Sequence, residues 1–192
     1  MSNDSVLAVL EDALIAHFGH RPLRASVSFL GVEPIEVLRF EPVPDERTYV
    51  TLGMARRPMT GADALAVEQD GPRAELMLQV TDPTDAYSDI WRRVAILGAA
   101  PAVEGIVYVS GMTVDLGEPL VVGTACSGVI TGESAVAPVS TPEGEVSVLE
   151  IVPATSTELA WARVRGSAAL RERWREAGTD LRALDRAPVT LG

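Results

Sequence analysis

The chain is 192 residues long, 47 % hydrophobic and 22 % charged, with 27 acids against 16 bases and a formal net charge of −11. A chain of this length and composition is expected to form one compact domain, hiding roughly 70 % of its unfolded surface without help from disulfides or metals. Every base is arginine, so Schiff-base chemistry and a P-loop lysine are excluded, and the acidic balance repels nucleic-acid backbones.

In chain order, the spacing of Leu7, Leu10, Leu14 and Phe18 predicts a helix over 5–18, capped by Asp4 and ended by Gly19. Strands are expected at 27–30, 35–40 and 48–52, separated by Gly31, Pro34 and the turn-rich Pro42-Val43-Pro44-Asp45. A loop over 60–72 closes with Asp70-Gly71-Pro72 and leads to a strand at 74–80. Asp82-Pro83 reads as a helix start, with Tyr87, Ile90, Trp91, Val94 and Leu97 as the buried stripe and Gly98 as the stop. Residues 105–139 are glycine-punctuated and β-like, and 146–152 is a strongly apolar, central strand. Thr155-Ser156-Thr157-Glu158 matches a capping box, opening a helix over 158–164 that stops at Gly166. A last helix is expected over 167–177, ended by Gly178. No composition shift marks a linker, so a sheet flanked by helices in one domain is the expectation.

The longest apolar stretches fall far short of the about 20 residues that span a bilayer. The first residues carry Asp4 where a secretory signal would carry base, and the lone Cys126 cannot form an internal disulfide, so a cytoplasmic protein is expected.

Candidate chemistry is thin. Cys126 sits in Gly123-Thr124-Ala125-Cys126-Ser127-Gly128, where Thr124 replaces the upstream glycine of a nucleophile elbow. The two histidines, His17 and His20, lie far off in sequence, so a small buried hydrophobe explains Cys126 better than a catalytic thiol. Those histidines are spaced for one metal, but no third ligand joins them, and imidazoles at a helix C-terminus commonly serve the dipole. Gly105, Gly111, Gly117 and Gly123 recur every six residues but lack the aliphatic partner of a β-helix coil, so they read as turns. Glu143 and Glu145 are an acid pair beside a turn, best read as solvated. Trp91, Trp161 and Trp174 fall on helical apolar stripes, where core packing is the ordinary use. No metal, cofactor or catalytic set is expected.

From Ser140 to Arg173 the residues form an ordered pattern. Thr141-Pro142-Glu143-Gly144 leads into Leu149-Glu150-Ile151-Val152, then Thr155-Ser156-Thr157-Glu158-Leu159, then Gly166 with Leu170. Upstream, Tyr49-Val50-Thr51-Leu52-Gly53-Met54, Asp70-Gly71-Pro72 with Glu75-Leu76, the helix around Trp91, and Ser110-Gly111 follow in the same order. This set, spanning about residues 5–180, resembles the Suppressor of fused domain family.

The resemblance implies an α/β (α+β) sandwich with a mixed sheet, as a single domain over 1–192 with its core at about 5–184 and a short tail at 185–192. It implies a non-enzymatic, protein-binding module. Animal members restrain zinc-finger transcription factors together with a second domain that this chain is too short to hold. They also carry an acid after the Ser-Gly pair, where this chain has Met112, so that peptide chemistry is not carried over. Bacterial stand-alone members resemble immunity proteins. The partner is then expected to be a protein, such as a basic toxin domain, with no nucleic acid or membrane. If the family's groove persists, it lies where 107–112 meets the helix of Trp91, giving Trp91, Tyr108, Ser110, Gly111 and Met112 as partner-binding residues. The alternatives from other classes are a small hydrolase or transferase using Cys126 or the acid pair, and a structural, oligomerising module.

Overall fold

The structure, a computed structural model, describes residues 2–64 (the backbone alone for 2–4), 70–87 and 89–191. Its elements are α1 (Ser2–Phe18), β1 (Leu23–Phe29), β2 (Val32–Phe40), β3 (Glu46–Leu52), a 3-10 turn (Met54–Arg56), β4 (Arg73–Thr81), α2 (Ile90–Glu104), β5 (Thr113–Asp115), β6 (Cys126–Glu133), β7 (Val139–Thr141), β8 (Gly144–Thr155), α3 (Ser156–Arg165) and α4 (Ser167–Glu176).

The strands form one mixed sheet in the order β1-β2-β3-β4-β8-β6-β5, with β7 also beside β8. Among the described strands only β4 and β8 run parallel, from Arg73 opposite Val146 to Met77 opposite Glu150. Side chains alternate along a strand, so neighbours go to opposite faces. Val37, Tyr49 and Leu76 pack under α2 with Val94 and Leu97. Leu38, Val50 and Met77 pack on the other face with Val6, Leu10 and Leu14 of α1. A third cluster joins Ile130, Val152 and Ala154 to Leu159, Leu170 and Trp174 of α3 and α4. The expected α+β sandwich, a mixed sheet flanked by helices, is the fold that forms.

Several boundaries differ from expectation. α1 begins at Ser2, so Asp4 falls within the helix instead of capping it. Val6, not Leu7, shares the fully buried stripe with Leu10 and Leu14, and Leu7 is half-buried. Of the loop expected over 60–72, residues 65–69 lie outside the described residues.

The largest departure is α2, which starts at Ile90 and not at Asp82. The Asp82 carboxylate accepts from the amides of Ala86 (2.8 Å) and Tyr87 (3.1 Å), closing a loop in which Asp85 is left-handed at φ 53°. A helix cannot pass through that conformation. Gly98 does not stop the helix: a Cβ there would come 2.9 Å from Thr51 Cγ2, so the glycine lets α2 lie close on β3. Gly105 ends it instead, left-handed, with its amide on the Pro101 carbonyl. The capping box forms as read, with Thr155 Oγ1 accepting from the Glu158 amide (3.3 Å) and Glu158 Oε2 from the Thr155 amide (2.9 Å).

Beyond Met77 and Glu150, β4 and β8 lose their pairing, and the C-terminal segment enters beside them. The Thr81 amide donates to the Arg182 carbonyl (3.0 Å), Arg182 pairs with Glu46, and Leu184 is fully buried. The residues set apart as a tail from 185 are also tied down. Arg186 pairs with Glu158, the Val189 amide donates to Glu158 Oε1 (3.0 Å), and Val189 and Leu191 pack on the third cluster.

Candidate protein-binding site

The expected site begins with a defect in a helix. Pro101 inside α2 has no N–H, so the Leu97 carbonyl loses its normal partner four residues on. The Tyr108 hydroxyl, 2.8 Å away, donates to that carbonyl. Tyr108 is thereby held in the core, 2 % exposed, and burial pushes its phenol well above the ordinary value.

The chain then turns sharply. Thr131 on β6 is fully buried, and its hydroxyl donates to the Val109 carbonyl while accepting from the Met112 amide at 2.9 Å. The Gly111 amide donates to the Thr131 carbonyl, and the Thr131 amide to the Met112 carbonyl, each at 2.9 Å. Gly111 is left-handed at φ 86°, and a Cβ on it would come 2.7 Å from Ser167 Oγ at the start of α4.

The turn thus has an inside and an outside. Tyr108 and half-buried Met112 face the core under α2, whereas Val109 and Ser110 are exposed and Gly111 lies between them and α4. Trp91 is placed apart, half-buried at the start of α2. It lines a cleft of about 120 Å³ with Leu23, Arg39 and Tyr49, in which none of the residues 107–112 takes part. The structure brings Tyr108, Ser110, Gly111 and Met112 into one turn and leaves Trp91 on another surface. Sequence reasoning missed Thr131, which organises the turn; nothing local marks it.

The other candidates have structural surroundings. Cys126 is fully buried in β6; burial pushes its thiol up, with Arg186 opposing and Glu158 adding to the rise, which makes it a poor nucleophile at neutral pH. His20 bonds the Phe18 carbonyl through Nδ1 (3.0 Å) and accepts the Glu41 amide at Nε2 (3.1 Å), so it takes the Nδ1-protonated tautomer. His17 stands edge-on to Phe18. Glu143 lies 3.8 Å from Arg73, and Glu145 is exposed. Among the described residues no group of three or more His, Cys, Asp or Glu could hold a metal.

Two glutamates are completely buried, and neither was singled out as a buried charge. Glu75 on β4 is fully buried and accepts from Thr51 Oγ1 (2.6 Å) and the amides of Gly53 (2.8 Å), Met54 (3.3 Å) and Ala55 (3.0 Å). It holds the start of the 3-10 turn with neutral donors, and burial pushes its carboxyl up against them. Glu158 is equally buried and accepts from Arg186 at both oxygens (2.8 and 2.9 Å), Trp174 Nε1 (3.0 Å) and two backbone amides. Burial works against it too, but Arg186 and these donors hold it at about 2.

With this geometry in view, the relatives are informative. Residues 31–187 match the family model of Suppressor of fused protein. No curated protein matched the chain. Among solved structures, the Sufu–Fu complex is similar at 15 % identity and a TM-score of 0.72, over 95 % of this chain and 91 % of that one. Drosophila Suppressor of Fused matches at 15 % identity and 0.67, over 98 % of this chain and 51 % of that one, so this chain spans about half its length. A putative Suppressor of fused homologue from Neisseria gonorrhoeae matches at 17 % identity and 0.67, over 100 % and 98 %. At these identities the structural likeness is one of fold; the family match over most of the length says more, and the chain belongs to the Suppressor of fused family.

Proposed function

We propose that this chain is a non-enzymatic protein-binding module of the immunity or regulatory type, which restrains a basic partner protein such as a toxin domain in the cytoplasm. The observation that carries the reading is how charge is distributed. Most arginines face the chain's own carboxylates, among them Arg24 with Glu11 and Glu36, Arg39 with Glu41 and Asp85, Arg93 with Glu118, and Arg171 with Glu150. The positive charge is therefore neutralised locally, and the excess acid faces solvent at residues such as Asp12, Glu133 and Glu145. Such a surface steers a basic body toward itself and discriminates against acidic ones. The complex of a solved relative with Fu supports protein binding as the mode.

We assign the contact to the crest at exposed Ser110 and half-buried Gly111, with Tyr108 and Met112 supporting it from beneath and Trp91 as a separate flanking contact. Pull-downs with the products of neighbouring reading frames test the reading. A partner should be retained at about 50 mM salt and released at about 500 mM, because screening shortens the reach of surface charge. No partner at low salt overturns it. Ser110→Arg should lower the affinity of that partner at an unchanged melting temperature; unchanged affinity removes the crest from the interface.

A further inference from the structure

β3 ends at Leu52 opposite Glu36, so Val32, Glu33 and Pro34 of β2 have no strand beside them on that side. The chain turns away there through Gly53, and a cleft of about 370 Å³ opens between the start of β2, residues 53–60 and the last turns of α2. That volume lies within the range of ligand sites, roughly 300–1,000 Å³.

Its walls carry unanswered groups. Arg56 donates to the Pro34 carbonyl (2.6 Å) and meets no carboxylate among the described residues. Arg57 is exposed and has neither ion pair nor hydrogen bond among them. Thr60 Oγ1 is buried without a hydrogen bond among the described residues. In a chain whose arginines are mostly matched to acids, this adjacent pair is a local excess of positive charge. Glu33 lines the same cleft, exposed and without an ion pair among the described residues.

The mixture selects among ligands. A phosphate or other polyanion meets repulsion from Glu33 and from the negative end of α2. An extended peptide with one carboxylate suits most of this lining: its acid faces Arg57, its N–H donors face Glu33 and the helix carbonyls, and its backbone can lie beside Val32 and Glu33, whereas Pro34 lacks an N–H and its carbonyl already accepts from Arg56. We propose that this cleft docks an extended segment of a partner protein that bears a single carboxylate, with Arg57 as its anion partner. The proposal stands apart from the charge-driven reading above, since a basic protein can present one acidic residue here.

A display library of random heptapeptides, selected on the wild-type protein with Arg57→Glu as counter-target, tests it. The enriched peptides should share one Asp, Glu or free C-terminal carboxylate. They should bind Arg57→Glu about tenfold or more weakly, the scale of one charge-assisted hydrogen bond, at an unchanged melting temperature. Arg57→Gln should weaken the same peptides in the same direction, and serves should the charge reversal disturb folding. Enrichment without an acid, no enrichment over the counter-target, or equal affinity for both variants overturns the proposal. The salt-dependent pull-down does not depend on any of these results.

Discussion

Glu75 and Glu158 are both completely buried and both richly hydrogen-bonded, yet their acidities move in opposite directions. Glu75 has four neutral donors, all from residues 51–55. Glu158 has comparable donors plus Arg186, which lies 28 residues away in sequence. Around Glu75 the neutral dipoles satisfy the carboxylate without offsetting its loss of water, whereas at Glu158 the bidentate cation tips the balance the other way. One glutamate therefore shapes a local turn, and the other fastens the end of the chain to α3 and α4.

Breaking the charged side of this pair should have the largest effect. Arg186→Ala leaves Glu158 buried without its cation, and is expected to cost about 3–5 kcal/mol in urea unfolding. Adding Glu158→Gln to that variant should restore part of the loss, because the stranded charge is gone; no recovery would mean that Arg186 acts by packing on the Trp174 ring, 5.4 Å away.

On the neutral side, Glu75→Gln points an NH₂ donor at a site built from donors, for an expected loss of about 1–3 kcal/mol. Acid titration separates the two further. Glu158 is held at about 2, below its ordinary 4.5, so the stability it provides is present above 4.5 and disappears as pH falls toward 2. Glu75 is shifted upward, so its contribution is full below 4.5 and is lost as pH rises through its raised value. Unfolding midpoints against pH should therefore flatten at the acid end in Glu158→Gln and, in Glu75→Gln, lose a decline that begins above 4.5. Identical profiles in both variants would erase the distinction.

The smallest effect belongs to another neutral contact on the α2 side. Tyr108→Phe should cost about 1 kcal/mol by leaving the Leu97 carbonyl unpartnered. Pro101→Ala in the same chain should regain it, since alanine restores the missing helical N–H.

What was legible in the sequence follows the range of the interactions. The Thr155–Glu158 box is complete within four residues, and it formed as read. The strands β2, β3, β4 and β8 announce themselves by apolar runs. Asp82-Pro83 has two local solutions, a helix cap or a closed loop; the amide of Asp82 reaching the Asp45 carbonyl (2.7 Å) favours the loop, and that contact crosses to another hairpin. Gly98 looks like a stop until Thr51 is placed beneath it. At the candidate site, the Ser110-Gly111 turn was visible, but the separation of Trp91 from it depends on how α2 lies across β1–β3. Glu75 could have been noticed as a lone charge inside an apolar strand; Arg186 as the partner of Glu158 could not.

The segment that enters beside β4 and β8 also constrains how the chain is made. Arg182 and Glu46 meet across 136 residues of sequence, and the Thr81 amide waits for the Arg182 carbonyl. A chain growing from its N-terminus can pair β1 to β4 early, because those hairpins are local. Its parallel partner β8, and then the segment that fills the gap, are made only after those strands. The edge of β4 therefore stays uncovered until β8 is made, and a ribosome stalled before residue 182 holds an unsealed sheet, the kind of intermediate that chaperones recognise.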